Sequence, residues 1–269
     1  MASIINQIAF TVCRLLHDSP PDRAAILDIK NGEPRDVVTE LDRSIHEAVG
    51  SLTSELIPGA IFLSEEQENQ TLSLLSDRPV VVLDPIDGSQ NLSLGLPFSS
   101  CLIAIIERGV VTSSAVVSAD ASRLMLYDRG WLWSNFERVE VDGAKPTYLA
   151  YGPLSNEAER SALRCAWETC DSLSSGVYRW GSAAAGLQAL VNGQLQSFVG
   201  IRLRVWDFLA FLPFLNHEGV SVALGIDRER GSIVACRDPA ELGAHLDALA
   251  AAGERLTRLE PGASLSEVL

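Results

Sequence analysis

Two aspartates three residues apart, Asp84 and Asp87, close the β-branched run Val80-Val81-Val82-Leu83 in the sequence Asp84-Pro85-Ile86-Asp87-Gly88-Ser89. A carboxylate cannot sit uncompensated in an apolar core, because stripping its hydration is very costly. Magnesium takes hard oxygen ligands, a few carboxylates completed by water and substrate phosphate. Taken alone, the D-P-x-D-G pattern fits a strand-ending turn with solvated aspartates as well as it fits a hard-cation site. Further carboxylates follow short, distinct elements. Glu65-Glu66 comes after the apolar run at residues 60–63, Asp42 lies six residues beyond Asp36, and Asp207 follows Trp206 in the apolar stretch VWDFLAFLPFL. Glu65-Glu66 also reads as a solvated cap, and Asp207 as an acid favoured at a helix N-terminus. An acid inside so apolar a stretch is the harder to explain by solvation.

These carboxylates need elements to hold them. Ile4, Ile5, Ile8, Val12, Leu15 and Leu16 follow helical spacing, and Pro20-Pro21 breaks that pattern. A short strand is expected over 26–30, with a hairpin-type turn at Asn31-Gly32. Thr39 is a candidate cap for a helix running to about Leu56, stopped by Pro58-Gly59. Strands are expected over 60–63 and 79–83, followed by 101–106, 110–117 and 124–127, whose spacing suggests an antiparallel meander. Beyond Gly143 the rhythm changes to extended 148–151, helix 157–170, helix 182–191, strand 195–199, helix 206–215 and helix 238–251. The chain therefore reads as an α+β unit over 1–143, with the carboxylates of the first site, joined to an α/β unit over 144–269.

Composition narrows the class. The 269 residues are 47% hydrophobic and carry 21 basic against 35 acidic side chains, a net charge of −14. So acidic a surface repels a phosphate backbone, which argues against nucleic acid as a partner but not against a small anion met by local cations. The five cysteines are scattered without a C-x-x-C pair, and four of them fit as small buried hydrophobes. The four histidines are isolated, so zinc is not expected. The N-terminal stretch has no basic n-region, and no apolar run approaches the roughly 18 residues of a membrane span. A cytoplasmic protein with no targeting segment and no membrane contact is the expectation.

In this order, the motifs resemble those of the inositol monophosphatase family of magnesium-dependent, lithium-sensitive phosphatases. D-P-[IL]-D-G-[ST] is met from Asp84 to Ser89, and [GS]-E-E by Ser64-Glu65-Glu66. D-x-V-T-x-x-D is met from Asp36 to Asp42, G-[ST]-A-A by Gly181 to Ala184, and W-D by Trp206-Asp207. The resemblance implies an αβαβα layered sandwich of the inositol monophosphatase/fructose bisphosphatase type, commonly a homodimer. It implies that Glu65, Asp84, Asp87, Asp207 and the Ile86 carbonyl bind two or three magnesium ions. Asp42, Ser89 and Glu65 would position and activate the attacking water, and Gly88 and Ser89 would offer N–H groups to phosphate. The implied activity is hydrolysis of a small sugar or polyol phosphate, such as inositol monophosphate or a fructose 1,6-bisphosphate-like compound.

The segment before W-D bears on the substrate. Inositol-preferring relatives carry an acid seven positions before that aspartate, and Gly200 stands there in this chain. Arg202 and Arg204 follow, on one face if the segment is an extended strand. They are similar to the extra positive charge of the archaeal-type fructose bisphosphatase/inositol phosphatase branch, which suits a second phosphate, but they equally fit pairing with local acids. FLAFLPFL is similar to the corresponding helix of histidinol-phosphate phosphatases. Hydrolysis of 3′-phosphoadenosine 5′-phosphate is a further alternative, with Trp180 as the nearby aromatic. Arg179 and Ser182 are additional pocket candidates by resemblance. His217-Glu218-Gly219-Val220 replaces the usual E-A-G-G, and the compact region after Tyr127 carries no long insertion for a regulatory nucleotide site, so allosteric control is not expected. A reading of a different class is a non-catalytic relative that binds a phosphometabolite.

Overall fold

The computed structural model describes residues 3–19, 26–29, 37–67, 74–139 and 143–269. Pro20-Pro21, Asn31-Gly32 and Asp36 lie outside the described residues. The chain divides into two compact units, Met1–Phe136 and Glu137–Leu269.

In the first unit a six-stranded sheet has the order β3-β4-β5-β6-β7-β8. Its strands are β3 (Ile61–Ser64), β4 (Val80–Asp87), β5 (Ser100–Glu107), β6 (Val110–Ser118), β7 (Leu124–Asp128) and β8 (Trp131–Ser134). β3 and β4 run parallel, and from β4 onward each neighbour is antiparallel, the expected meander with one more strand at its edge. Helices α1 (Ile4–His17) and α2 (Glu40–Leu56) bury their apolar faces with the sheet. Ile8 and Val12 of α1 and Ile45 and Val49 of α2 share one core with Val81, Leu83, Cys101, Ile103 and Val117. A small ribbon, β1 (Ile26–Ile29) with β2 (Val37–Thr39), leads into α2. A short helix α3 (Ser89–Ser93) follows β4.

β4 does not stop before its aspartates; it runs through Asp84-Pro85-Ile86-Asp87. Pro85 has no N–H to give the ladder, and here the register slips. Asp84 pairs with Leu102 and Asp87 with Ser100, so three steps on β4 match two on β5. That is a β-bulge, and proline within a sheet is confined to such places or to edges.

The second unit has its own six-stranded sheet, of order β10-β9-β11-β13-β12-β14. It comprises β9 (Thr147–Tyr151), β10 (Val177–Tyr178), β11 (Ser197–Arg204), β12 (Ser221–Asp227), β13 (Arg230–Cys236) and β14 (Thr257–Leu259). β9 is parallel to β10 and β11, whereas β12 and β13 form an antiparallel hairpin. Helices α4 (Glu157–Leu173) and α7 (Pro239–Ala251) share a core with one face, through Ala162, Ala166, Cys170, Leu242 and Leu249 against Leu149, Val199 and Val234. Helix α5 (Ala183–Val191) lies against the ring of Tyr148. A Cβ on Gly186 would come within 2.3 Å of that ring, so only glycine permits the approach.

Several expectations are corrected. The stretch 206–215 is not one helix. Short 3-10 turns occupy Val205–Asp207 and Leu209–Phe211, and α6 (Leu212–His217) begins with Pro213 in its first turn, where a missing N–H does no harm. β11 is not evenly extended, since Arg202 takes φ 53 at a one-residue slip against β13. Three cysteines rather than four are buried, Cys101, Cys170 and Cys236, and all five are free thiols. Among the described residues no helix is long and apolar enough to cross a membrane.

Candidate active site

The bulge in β4 has a chemical consequence. In a regular strand, residues three apart point to opposite faces. The extra residue at Pro85 reverses that parity, and carboxylate oxygens of Asp84 and Asp87 lie within 4.8 Å of each other. Asp84 is 1% exposed, and Asp87 is half-buried.

Glu65 is the next residue after β3. The parallel register sets Ser64 beside Leu83, and the Glu65 N–H donates to the Leu83 carbonyl at 3.2 Å. Glu65 therefore emerges at the level of Asp84, at the carboxyl end of β3, where open parallel strands present their ligands.

Asp42 arrives from the start of α2. Thr39 caps the helix, as expected, and the structure adds a reciprocal box with Asp42. The Thr39 N–H and hydroxyl both donate to Asp42 Oδ2, at 2.8 and 2.5 Å. Burial pushes the Asp42 carboxyl up to about 6 and the nearby charge of Glu65 adds to the rise, while hydrogen bonds from Thr39 and Ser89 oppose it. Ser89 Oγ stands 2.9 Å from Asp42 Oδ1 and 2.8 Å from the Ile86 carbonyl oxygen. With one proton it donates to only one of them at a time.

Gly88 makes the turn between Asp87 and Ser89 at φ 85, a left-handed conformation natural to glycine. Its carbonyl accepts from Ser99 Oγ at 2.8 Å and from the Leu92 N–H at 3.0 Å. The carbonyl of Gly88 and the N–H of Ser89 share one peptide plane and point oppositely, so these bonds fix the direction of that N–H. Ser99 escaped the sequence reading because nothing local marks it. So did His46, whose Nδ1 lies 2.8 Å from Ser64 Oγ. The first unit thus gathers Asp42, Glu65, Asp84, Ile86, Asp87, Gly88 and Ser89 around the ends of β3 and β4 and the start of α2.

The remaining candidates belong to the second unit. Asp207 closes the 3-10 turn after β11, and its Oδ2 accepts from the Arg204 N–H at 2.9 Å. Ser182 caps α5, accepting from the Ala185 N–H at 3.0 Å, while its carbonyl accepts from the Tyr148 hydroxyl at 2.7 Å. The guanidinium of Arg179 lies 4.1 Å over the Tyr151 ring. Arg202 forms ion pairs with Glu159 at 3.4 Å and Asp227 at 3.5 Å, and Arg204 pairs with Glu229. Both arginines thus have local acids beside them.

Gly200 is tightly enclosed. A Cβ there would meet Leu203 Cδ1 at 2.6 Å, Ile233 Cγ2 at 2.9 Å and Phe198 Cε1 at 3.0 Å.

The sequence profile described as the inositol monophosphatase family matches residues 1–223. An inositol-1-monophosphatase of Mesorhizobium japonicum is 28% identical over 191 residues, 69% of this chain and 71% of that protein. A histidinol-phosphatase of Mycobacterium tuberculosis is 33% identical over 200 residues, 72% of this chain and 66% of that protein. The solved structure of extragenic suppressor protein suhB from Bartonella henselae superposes with a TM-score of 0.71 at 21% identity, covering 91% of this chain and 96% of that one. The layered fold is therefore that of the solved relatives, and the chain belongs to the inositol monophosphatase family and is a phosphatase.

Proposed function

We propose that this phosphatase hydrolyses the monoester of a small sugar or polyol phosphate, using magnesium held by Glu65, Asp84, Asp87 and the Ile86 carbonyl. The carrying observation is the pair of carboxylates brought within 4.8 Å by the bulge at Pro85, one of them buried. The donors fit the ion: all are hard oxygens, and like charges so close favour a divalent cation between them. For Asp207 we propose the same role on the W-D motif.

When bound, magnesium polarises the phosphoryl oxygens, lowers the pKa of water and steadies the leaving alkoxide. The chain's own residues supply the rest. Anionic Asp42 accepts the Ser89 hydroxyl proton at Oδ1, which leaves a lone pair on Ser89 Oγ to accept a proton from the attacking water. Thr39 holds Oδ2 and so sets the angle of the carboxylate. The Ser89 N–H, aimed by the bonds on the Gly88 carbonyl, donates to a phosphate oxygen.

In the second unit Arg179 and Ser182 remain the pocket candidates that the family resemblance implies. Enclosure of Gly200 disfavours the acid that inositol-preferring relatives carry there. Arg202 and Arg204 could serve a second phosphate only by leaving their present acids. Histidinol phosphate is the second reading, supported by Pro213 at the start of α6 and by the 33% identical relative. Family membership supports lithium inhibition, a homodimer and a cytoplasmic setting as further proposals. The test is release of inorganic phosphate, with and without magnesium, from inositol 1-phosphate, fructose 1,6-bisphosphate, histidinol phosphate and 3′-phosphoadenosine 5′-phosphate. Magnesium-dependent release from inositol 1-phosphate or fructose 1,6-bisphosphate supports the first reading. Release from histidinol phosphate alone selects the second, and magnesium binding without any release points to a substrate outside the panel or to a binding role.

A further inference from the structure

Asp42 and Glu65 come from different elements, α2 and the end of β3, and their charges oppose one another. Something must hold the two segments at their spacing. Asp42 and His46 are four apart on α2 and share a helix face. Phe62 and Ser64 are two apart on β3 and share a sheet face. The His46 ring meets both of the latter. Its centroid is 5.4 Å from that of Phe62, and its Nδ1 is 2.8 Å from Ser64 Oγ. Ser64 is fully buried, and its hydroxyl also accepts from the Glu66 N–H at 3.4 Å, while its carbonyl accepts from the Gln67 N–H at 3.0 Å. Glu65 is thus held on both sides, by Leu83 through its own N–H and by Ser64 through the next one.

We propose that His46 and Ser64 form a positioning couple that fixes the Glu65 carboxylate relative to Asp42 and thereby sets magnesium affinity. This rests on the reading of Glu65 as a magnesium ligand. In this couple Ser64 Oγ accepts from the Glu66 N–H and shares a hydrogen bond with His46 Nδ1. Partners one step removed from a ligand commonly change metal affinity by about 10- to 100-fold when lost.

Calorimetric titration of the full chain with magnesium chloride tests this without recourse to turnover. Ser64→Ala removes the hydroxyl. His46→Phe keeps a ring on Phe62 but removes Nδ1, and His46→Asn returns a polar atom near the Nδ1 position. Ser64→Ala and His46→Phe are each expected to weaken magnesium binding about 10-fold. The double variant loses no more than either, and His46→Asn binds close to the parent. Parent-like affinity in Ser64→Ala and His46→Phe, with Glu65→Gln weakened, overturns the couple. Lowered thermal midpoints with unchanged affinity do so as well, since they mark a merely structural contact. Parent-like binding by Glu65→Gln overturns the ligand reading itself, and the couple's role with it.

Discussion

Asp84 and Asp87 face the same way because β4 carries one residue more than β5 between them. The proline that forces the slip is part of the same motif as the acids. Backbone geometry and ligand set are therefore written together, which is why so short a stretch of sequence is so informative.

Asp42 makes stability depend on pH in a definite direction. Its carboxyl rises from an ordinary 3.8 to about 6 on folding. The folded state thus binds the proton more tightly, so the contribution is fully present below the unfolded value and is lost as pH rises through about 6. In chelator at pH 8, Asp42→Asn is expected to unfold at higher urea than the parent, by on the order of 3 kcal/mol. The advantage vanishes below pH 4. A variant less stable at pH 8 than the parent contradicts the assignment.

The same ionisation shapes turnover. Only anionic Asp42 accepts the Ser89 proton, so kcat/KM falls as pH drops through 6 or below, a cation beside Glu65 drawing the limb lower. Ser89→Ala lowers the rate by about 100-fold or more, within the usual range for a lost proton-transfer group. A Ser89→Ala variant with the parent's rate and pH profile removes Ser89 from the chemistry.

Gly200→Glu tests the substrate argument. Its Cβ has no space between Leu203, Ile233 and Phe198, and its charge would be buried. Destabilisation of at least about 3 kcal/mol in urea unfolding is expected, with no gain in phosphate release from inositol 1-phosphate. A stable variant that gains this activity contradicts the packing argument.

Hairpin turns offer a test away from the site. Arg108 adopts φ 53 before Gly109, between β5 and β6, at the end of β5 remote from Ser100. Asparagine tolerates that conformation better, so Arg108→Asn is expected to stabilise by about 1 kcal/mol without changing turnover. A lower melting midpoint would show that the arginine side chain contributes more than its backbone costs.

Much of this architecture was legible because local chemistry marks it. Thr39 reads as a cap and is one, and the meander follows its apolar runs. The hairpin of β12 and β13 was missed because Arg228, not glycine or asparagine, takes the left-handed position, at φ 57. The helix expected over 206–215 breaks into turns although its apolar pattern is helical; Phe208, at φ −140, interrupts it. His46 and Ser99 carry no signal in sequence, since their partners lie 18 and 11 residues away and meet them only through the fold. The motifs mark the acids of the first unit and Thr39 the cap that holds Asp42, whereas the contacts of His46 and Ser99 arise only from the tertiary fold.

The most direct measurement is inorganic phosphate release by Asp87→Asn at saturating magnesium beside the parent, with circular dichroism on both. Asparagine keeps the shape and removes the charge. The account predicts an unaltered fold and a rate at least about 100-fold lower, because metal activation is worth several kcal/mol. Undiminished turnover by Asp87→Asn would contradict the magnesium site on which the proposed mechanism stands.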